Sequence, residues 1–424
     1  MRTTELCGME NTEESVEGGR SSTVKKQSVQ SMGLCIFLAG LSCFAQLYLF
    51  QPIMPELSRQ FHVNPAESSF AVSFSTFGMA IGLFSGLFFA DRIARKKLIA
   101  FALISSSLLT ILSSFAGYFW LLIAINTVKG ILLAGSASII VAYIAEEVDP
   151  AVLGTVTSMN IAGNAVGGMS GRIVTTLLTG WYSWHAATFF IGVFCLLCGL
   201  LFAWLAPRSA HFRPVAINVR SKIGEMRRHL AIKPLLSVFI LGAILLGCFV
   251  SVYNYLGFRL EAAPFSLPHH LIALIYLMYI IGTAGSLLGG IYSDRLGTRP
   301  VLILMMFLMF ISLLFLLPSD ILSVTAGLGI FTFAFFGAHA VASCVVAQFI
   351  PAERSTSISL YLLFYYLGSS ILGTGTGLVM HQWGWKVFLF SLGIPVLAGL
   401  MLILTMSRSV NRGVWSSTDR SLKK

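Results

Sequence analysis

The chain has 424 residues, of which 56% are hydrophobic and only 11% are charged, and its mean hydropathy is +0.84. Soluble domains carry about 25% charged residues, so this composition excludes an ordinary soluble protein and indicates an integral membrane protein. The formal net charge is +11, and the position of the lysines and arginines therefore matters more than their sum.

The first 31 residues are polar and include five glutamates. They lack the basic, then apolar, then small-residue pattern of a cleaved secretion signal. The sequence therefore predicts a disordered cytoplasmic tail over residues 1–31.

Twelve long apolar runs follow this tail. A bilayer core of roughly 30 Å needs about 20 apolar residues per helix, whereas barrel strands would alternate over segments of about ten residues. The runs are continuous, so they predict an all-α integral membrane protein with twelve transmembrane helices. Their predicted bounds are 32–53, 68–90, 98–117, 120–145, 153–178, 186–206, 234–260, 268–292, 301–318, 322–347, 355–380 and 387–406.

The basic stretch at 207–233 separates the first six runs from the last six, and several features recur across it at a nearly constant spacing. This spacing predicts a duplicated unit, with pseudo-symmetric six-helix bundles at 32–206 and 234–406, a cytoplasmic connector at 207–233 and a cytoplasmic tail at 407–424. The recurring pairs are Asp91 and Asp294, 203 residues apart, and Pro150 and Pro351 with Trp184 and Trp385, both 201 apart.

Lysines and arginines fall almost entirely on one side of the predicted spans. With the N-terminus inside, 23 of the 28 lie in inner segments, and only Arg59 and Lys386 lie in outer loops. The positive-inside rule then places both termini in the cytoplasm of a cell whose inner (plasma) membrane holds the protein. The basic excess orients the chain, and no basic and aromatic cluster remains to predict nucleic-acid binding.

Six of the seven cysteines fall inside predicted spans. Cys195 and Cys198 form a CxxC within an apolar helix that has no neighbouring histidine or acid, and such thiols usually behave as small hydrophobic groups. The sequence therefore predicts no metal site and no cofactor.

Several motifs together resemble one transporter family. DRIARKK at 91–97 and GIYSDRLGTR at 290–299 are similar to the two cytoplasmic loop motifs of the major facilitator superfamily, and the similarity covers essentially residues 32–406. Four further stretches resemble the YnfM-like branch, which is close to the sugar-efflux and drug:proton antiporter branches. These are YLFQPIMPEL at 48–57, GNAVGGMSGR at 163–172, YNYLGFRL at 253–260 and SLYLLFYYLGSSILGT at 359–374.

The resemblance implies alternating access between two halves, with the loop motifs acting as a cytoplasmic gate that stabilises the outward-facing state. The alternative is that these charges only end helices and set the topology. The first copy departs from the family pattern, because Leu87 and Ala94 stand where glycines are expected, whereas Gly290 and Gly297 keep both in the second copy. The gate residues implied are Asp91, Arg92, Arg95, Asp294 and Arg299.

The fifth span carries glycines at four-residue spacing. Gly163, Gly167 and Gly171 fall on one face and predict close packing against a neighbouring helix. Gly168 stands where the antiporter branches often carry proline. A hinge or gate in this helix is the alternative to simple packing.

Three cations lie inside predicted spans without any acidic residue in a helix core: Lys129, Arg172 and Arg259. A charge in the hydrocarbon usually faces a wet cavity or a partner, and arginine suits bidentate contacts with carboxylates or phosphates. The sequence therefore predicts an anionic or strongly hydrogen-bonding substrate. The alternative is that Arg172 and Arg259 reach the outer interface by snorkelling. Predicted neutral contacts of the substrate are Gln51, Asn126, Asn164 and Asn254.

Proton coupling is predicted from two residues. The antiporter branches carry an arginine in the fourth span that helps proton transfer, and that position in LLIAINTVKG, 121–130, holds Asn126. Lys129 lies three residues later on the same face and is the predicted replacement. His339 is the only histidine deep in a predicted span, and it is either a proton carrier or a packing residue.

The leading prediction is a proton-coupled exporter, or antiporter, of a drug-like or anionic metabolite. The alternative is an uptake permease or facilitator for an organic anion. An enzyme or a sensor is not predicted, because the sequence offers neither a nucleophile with its base nor a long soluble domain. The predicted partners are a small molecule, protons and the lipid bilayer, and one chain contains the whole path, so a monomer is expected.

Overall fold

The computed structural model describes residues 31–89, 92–149, 152–207, 209, 219–350 and 353–405. Within these ranges the regular elements longer than a single turn are α-helices. The predicted tails lie outside the described residues except at Ser31, and so do Asp91 and residues 208 and 210–218 of the connector.

Eight helices precede the connector. They are α1 (Ser31–Leu47), α2 (Met54–Phe61), α3 (Pro65–Ser68), α4 (Phe70–Phe89), α5 (Arg95–Ser113), α6 (Phe119–Glu147), α7 (Leu153–Trp181) and α8 (Trp184–Leu205). Seven helices form the rest of the described chain. They are α9 (Val219–Ala231), α10 (Lys233–Glu261), α11 (His269–Ile275), α12 (Met278–Leu296), α13 (Thr298–Phe315), α14 (Ile321–Phe349) and α15 (Arg354–Thr405).

The helices account for twelve membrane crossings. Nine helices in the described ranges are long and apolar enough to span a bilayer, and one of them, α15, has 52 residues, enough for two crossings. The shorter apolar helix α1 and the 29-residue helix α7 supply the other two. Helix α7 is less apolar than the others because it is rich in glycine and threonine and carries Arg172.

The first predicted span, 32–53, ends earlier than expected. Helix α1 stops at Leu47, and a turn closed by the Gln51 N–H on the Tyr48 carbonyl at 3.0 Å leads to α2. Proline lacks an N–H and disfavours helical backbone at the residue before it, so Pro52 disrupts the helix around Gln51. Helix α2 then begins with Pro55 in its first turn, where a missing N–H is tolerated.

The two last predicted spans, 355–380 and 387–406, are joined without a loop. Both lie in α15, whose helical backbone is interrupted at Gly384 with φ of 75°. Only glycine adopts this left-handed conformation without steric cost, so one residue separates the two crossings.

The predicted repeat is visible in how the helices pack. A Cβ at Gly82 of α4 would collide with the backbone of Ile131 in α6, and a Cβ at Gly285 of α12 would collide with the backbone of Phe333 in α14. The two glycines are 203 residues apart and their partners 202 apart. The same close contact between helices therefore occurs once on each side of the connector, although the exact domain bounds stay a prediction.

Helix α9 was not anticipated within the basic connector. It docks on the start of α15, where Lys222 donates to Glu225 at 2.8 Å and to Thr356 at 3.0 Å. Arg228 pairs with Glu353 at 2.5 Å. The described end of the connector is thus fixed to the C-terminal helices.

Candidate functional site

Arg172 is the centre of a buried polar site between two sets of helices, the N-terminal helices α1–α8 and the C-terminal helices α10–α15. Its side chain in α7 is 1% exposed, and its guanidinium lies over the rings of Tyr48 at 4.5 Å and Tyr279 at 4.8 Å. The Nε group donates to Oε1 of Gln51 at 2.7 Å, and Nη1 donates to the Gly168 carbonyl. Among the described residues no carboxylate forms an ion pair with Arg172.

The glycines of α7 hold Arg172 at this depth. A Cβ at Gly163 or Gly167 would collide with the backbone of Phe37 or Leu41 in α1, and one at Gly171 would lie 2.7 Å from the Ala45 Cα. The predicted packing face therefore lies against α1. Gly168 does not face α1, because a Cβ there would lie 3.4 Å from Nη1 of Arg172.

Gln51 joins Arg172 to the C-terminal helices. Its Nε2 donates to Oδ1 of Asn254 in α10 at 2.8 Å, and Gln51 and Asn254 are 1% and 0% exposed. Because α1 ends before Gln51, the side chain extends from a non-helical segment towards α10. Interrupted helices of this kind commonly form the binding sites of transporters.

Aromatic side chains of the C-terminal helices form the wall opposite Arg172. Tyr253 is hydrogen-bonded to Thr332 at 2.8 Å and packs edge-on to Tyr279 with ring centroids 5.7 Å apart. Tyr276 lies 5.9 Å from Tyr253. These rings offer an apolar surface with hydroxyl groups beside a fixed cation.

Lys129 and Asn126 do not join this site. Lys129 is 0% exposed, and its ammonium lies 4.9 Å from the ring centre of Phe50, inside the N-terminal helices. Neither Lys129 Nζ nor either amide atom of Asn126 has a hydrogen-bond partner within the described part of the chain. The predicted group of three cations is therefore divided.

Arg259 and Asn164 also lie apart from Arg172. Arg259 donates to Ser319 at 2.7 Å and lies over Phe265 at 5.0 Å, near the outer end of α10. Asn164 lies against Gly40 of α1. The roles of these residues as substrate contacts stay predictions.

His339 is embedded among aromatic rings of α14 and α15. Its Nδ1 is 2.9 Å from the Tyr361 hydroxyl, and its ring stacks on Tyr365 with centroids 4.5 Å apart. These contacts agree with a packing role, and a part of His339 in proton coupling stays a prediction.

The described members of the predicted cytoplasmic gate make contacts within their own sets of helices. Arg95 pairs with Glu146 at 2.8 Å, and Arg299 donates to the carbonyl groups of Ile403 and Leu404 near the end of α15. Arg92 lies 6.0 Å from the ring centre of Phe89. Asp294 is exposed, and Asp91 lies outside the described residues.

Hydroxyl groups join the two sets of helices at the opposite, outer ends, on the predicted extracytoplasmic side. Thr76 of α4 lies 2.8 Å from Ser370 of α15, and Ser370 donates to the Ser73 carbonyl at 2.9 Å. Ser69 and Thr374 are 3.4 Å apart. The segment around the start of α4 is thus linked to the first crossing of α15.

An ion pair that sequence reasoning missed strengthens this outer contact. Arg59 bonds to Glu261 at 2.8 Å and to Glu56 at 2.7 Å, and so connects the end of α2 with the end of α10. One signal was available: Arg59 and Glu261 are 202 residues apart, close to the repeat spacing. Residues related by a pseudo-twofold axis can meet when they lie beside it.

The apolar core follows the same pattern. One large cluster runs from Phe50 and Leu122, at the outer ends of the N-terminal helices, into α10–α15. A separate cluster that includes Ile99 and Phe202 fills the ends of the N-terminal helices that are predicted to face the cytoplasm. The two sets of helices are therefore in apolar continuity on the predicted extracytoplasmic side, as expected for a state closed on that side.

Two sets of membrane helices that close over a buried polar site on one side define a membrane transporter. The chain belongs to the Major Facilitator Superfamily, whose family model matches residues 36–283 and 260–421. It is accordingly a multi-pass membrane transporter that works by alternating access.

Similar proteins share most of the chain. The inner membrane transport protein YnfM of Escherichia coli is 34% identical over 405 residues, 92% of this chain and 96% of that protein. The cis,cis-muconate transport protein of Acinetobacter baylyi is 25% identical over 63% of this chain and 66% of its own length. The inward-open xylose transporter XylE of E. coli shares the fold, with a TM-score of 0.73, 14% identity and coverage of 89% and 96%.

Proposed function

We propose that this transporter moves a small organic anion and that Arg172 binds its acidic group. The observation that carries the proposal is the environment of Arg172, which is 1% exposed, lies at the junction of the two sets of helices and is paired with an amide instead of a carboxylate. Gln51, Asn254, Tyr48 and Tyr279 are the proposed neighbouring contacts.

The energetics favour an anionic ligand. Removing an ion from water costs several kcal/mol even after relaxation, whereas a cation–π contact returns about 0.5–2 kcal/mol. The two tyrosine rings, the Gln51 amide and the Gly168 carbonyl supply no opposite charge, so Arg172 remains under-compensated. A carboxylate or phosphate supplies the opposite charge and accepts two parallel hydrogen bonds from the guanidinium.

Binding at Arg172 also has a route to conformational change. An anion that takes the Arg172 Nε donor competes with Oε1 of Gln51, whose Nε2 holds Asn254. Release of Gln51 weakens one link between the two sets of helices on the outer side. A ligand shifts a conformational equilibrium only through such a difference in contacts between states.

We further propose export coupled to protons, from an inner membrane in which both termini face the cytoplasm and one chain acts alone. Support comes from the resemblance to the antiporter branches and from Lys129, a buried amine without a hydrogen-bond partner among the described residues. Lys129 is the first candidate for the coupling group and His339 the second. A drug-like substrate fits the aromatic wall if it carries an acidic group.

Uptake of an organic anion is the second candidate function. It is favoured by Asn126, which stands where the antiporter branches carry arginine, and by the A. baylyi relative, whose name gives muconate, a carboxylate, as its cargo.

The experiment compares small molecules in cells and spent medium with the gene deleted and restored, and then measures transport of the identified compound in proteoliposomes. Arg172→Met is compared with Arg227→Met, a matched loss of an exposed cation on α9. Accumulation of an acidic compound inside deleted cells supports export, and an acidic compound left in the medium supports uptake.

A neutral or cationic substrate, or equal transport by Arg172→Met and Arg227→Met, contradicts the proposal. Proton coupling is tested in the same vesicles, because an imposed pH gradient should drive movement of the anion. Transport of the anion that does not respond to the pH gradient would contradict proton coupling.

A further inference from the structure

The N-terminal helices contain a second group of buried polar atoms, separate from the Arg172 site. In this group Lys129 Nζ and both amide atoms of Asn126 have no hydrogen-bond partner among the described residues. Both side chains are 0% exposed. They lie three residues apart and share one face of α6.

The non-helical segment after α1 separates the two sites. Phe50 faces Lys129 at 4.9 Å, while its neighbour Gln51 bonds to Arg172 and Asn254. Phe50 is itself 2% exposed and packs edge-on to Trp184 with centroids 6.4 Å apart. A molecule bound at Arg172 is therefore screened from Lys129 by a buried ring.

The groups around Lys129 do not neutralise its charge. The ring of Phe50 offers a weak cation–π contact. Cys195 of α8 is the titratable group that faces Lys129, and its thiol is engaged with the Ser42 carbonyl at 3.7 Å. No carboxylate pairs with Lys129 in the described ranges, so a buried ammonium and an amide donor both lack an acceptor.

We propose that Lys129 and Asn126 form a binding site for a small monovalent anion of halide size within the N-terminal helices. The ammonium supplies charge and up to three donors, and the Asn126 amide supplies two more. Donors without acceptors select a ligand that accepts hydrogen bonds, and the ammonium selects a negative one. Lys129 and Asn126 lie within one set of helices, whereas Arg172, although equally buried, lies at the junction of the two sets, which alternating access opens. A site that this movement does not open favours a small anion over a bulky organic one.

Bromide tests this site directly, because it replaces chloride and gives an anomalous diffraction signal. We expect crystals of the full chain grown with bromide to show an anomalous peak beside Lys129 Nζ. We also expect the Tm of the purified protein to rise by several degrees when chloride replaces gluconate. Lys129→Met should lose the peak and the chloride effect, and Arg172→Met should keep both.

Asn126→Leu provides a second variant in case Lys129→Met fails to fold, and it should weaken chloride binding about tenfold. The proposal is overturned by wild-type crystals without bromide at Lys129, by bromide found at Arg172 alone, or by an unchanged chloride effect in Lys129→Met. It goes beyond the proposed function, since failure of organic-anion transport would leave the bromide peak in place.

Discussion

The helices before the connector and those after it share the same close helix contacts, Gly82 with Ile131 and Gly285 with Phe333, which we call the packing frame. They carry different side chains at equivalent positions. Ile131 and Phe333 occupy the same place in the two close helix contacts. Two residues before them stand Lys129 and Phe331, so an ammonium on one side corresponds to a phenyl ring on the other.

The surroundings of these residues differ in the same way. Phe331 stacks parallel to Phe249 with centroids 6.2 Å apart, and Phe249 stacks on Phe335 at 3.8 Å. The N-terminal side instead buries Lys129 and Arg172. The frame thus sets how closely the helices approach, while one side contributes charge and the other contributes aromatic surface.

Removal of the buried positive charge at Arg172 should have the largest effect on transport. We expect Arg172→Met to lower kcat/KM for the anionic substrate at least about 30-fold, because loss of a buried charged contact costs roughly 2 kcal/mol or more. Arg172→Lys should recover part of the activity. Initial rates in proteoliposomes at equal protein amount provide the measurement, and equal rates for Met and wild type would contradict it.

The close helix contact of the packing frame can be disrupted in the N-terminal helices and in the C-terminal helices separately. Gly82→Val and Gly285→Val should each lower the stability by about 2 kcal/mol, since both force a side chain into a neighbouring backbone. Thermal unfolding in detergent measures the loss. Gly290→Val is the control, because no atom lies within 4 Å of a Cβ there. A large loss at only one of the two positions would contradict an equivalent frame.

The outer contact should give a smaller effect. Glu261→Gln removes its ion pair with Arg59 and leaves Arg59 paired with Glu56. The side chains of Arg59 and Glu261 are 55% and 17% exposed, and such pairs contribute up to about 1 kcal/mol. We expect a two- to fivefold gain, roughly, in labelling of a cysteine placed at Thr374 by an impermeant reagent. Glu56→Gln leaves the Arg59–Glu261 pair in place and should give no such gain. An equal gain in Glu56→Gln would implicate local unfolding.

The connector provides a pH-dependent prediction. Partial burial raises the pKa of Glu225, but hydrogen bonds from Lys222 and Thr356 and the nearby cations lower it more, so the pKa lies below its ordinary value. Its stabilising contribution is therefore present above the usual pKa of about 4.3 and is lost as the pH falls through the lowered value. Glu225→Gln should cost about 0.5 kcal/mol at neutral pH, and the difference in Tm from wild type should shrink on acidification.

His339 should matter least to transport. Its Nδ1 is engaged with Tyr361, and Tyr365 covers its ring. We expect His339→Gln to leave the pH profile of transport unchanged, as measured by initial rates across the neutral range. A shifted profile with unchanged KM would instead assign His339 to proton transfer.

Much of the fold was predictable because membrane-spanning helices appear in the sequence as long apolar runs. The prediction was wrong at the end of the first span, where Pro52 outweighs the hydropathy of the residues around it. Helix α9 was also missed, although Val219, Ile223, Met226 and Leu230 have the spacing of an amphipathic helix. A search confined to apolar runs overlooks such a helix.

The site was predictable as residues but not as contacts. Sequence alone named Gln51, Arg172 and Asn254, because polar groups in apolar runs are rare. It could not separate Arg172 from Lys129, since helical spacing determines which face a residue shares and says nothing about the neighbouring helix. The predicted gate residues Arg95 and Arg299 show a further limit, because sequence spacing does not indicate their partners, which are Glu146 and the carbonyl groups at the end of α15.

The outer contacts bear on the order of evolutionary events. If a six-helix ancestor paired with a copy of itself, residues beside the twofold axis faced residues from the same stretch of the copy. Gln51 and Asn254 both carry amides, which can pair with themselves, so this contact is compatible with identical halves. Arg59 and Glu261 lie 202 residues apart, and identical halves would have brought like charges together there. The ion pair therefore became possible only after the two copies had begun to diverge.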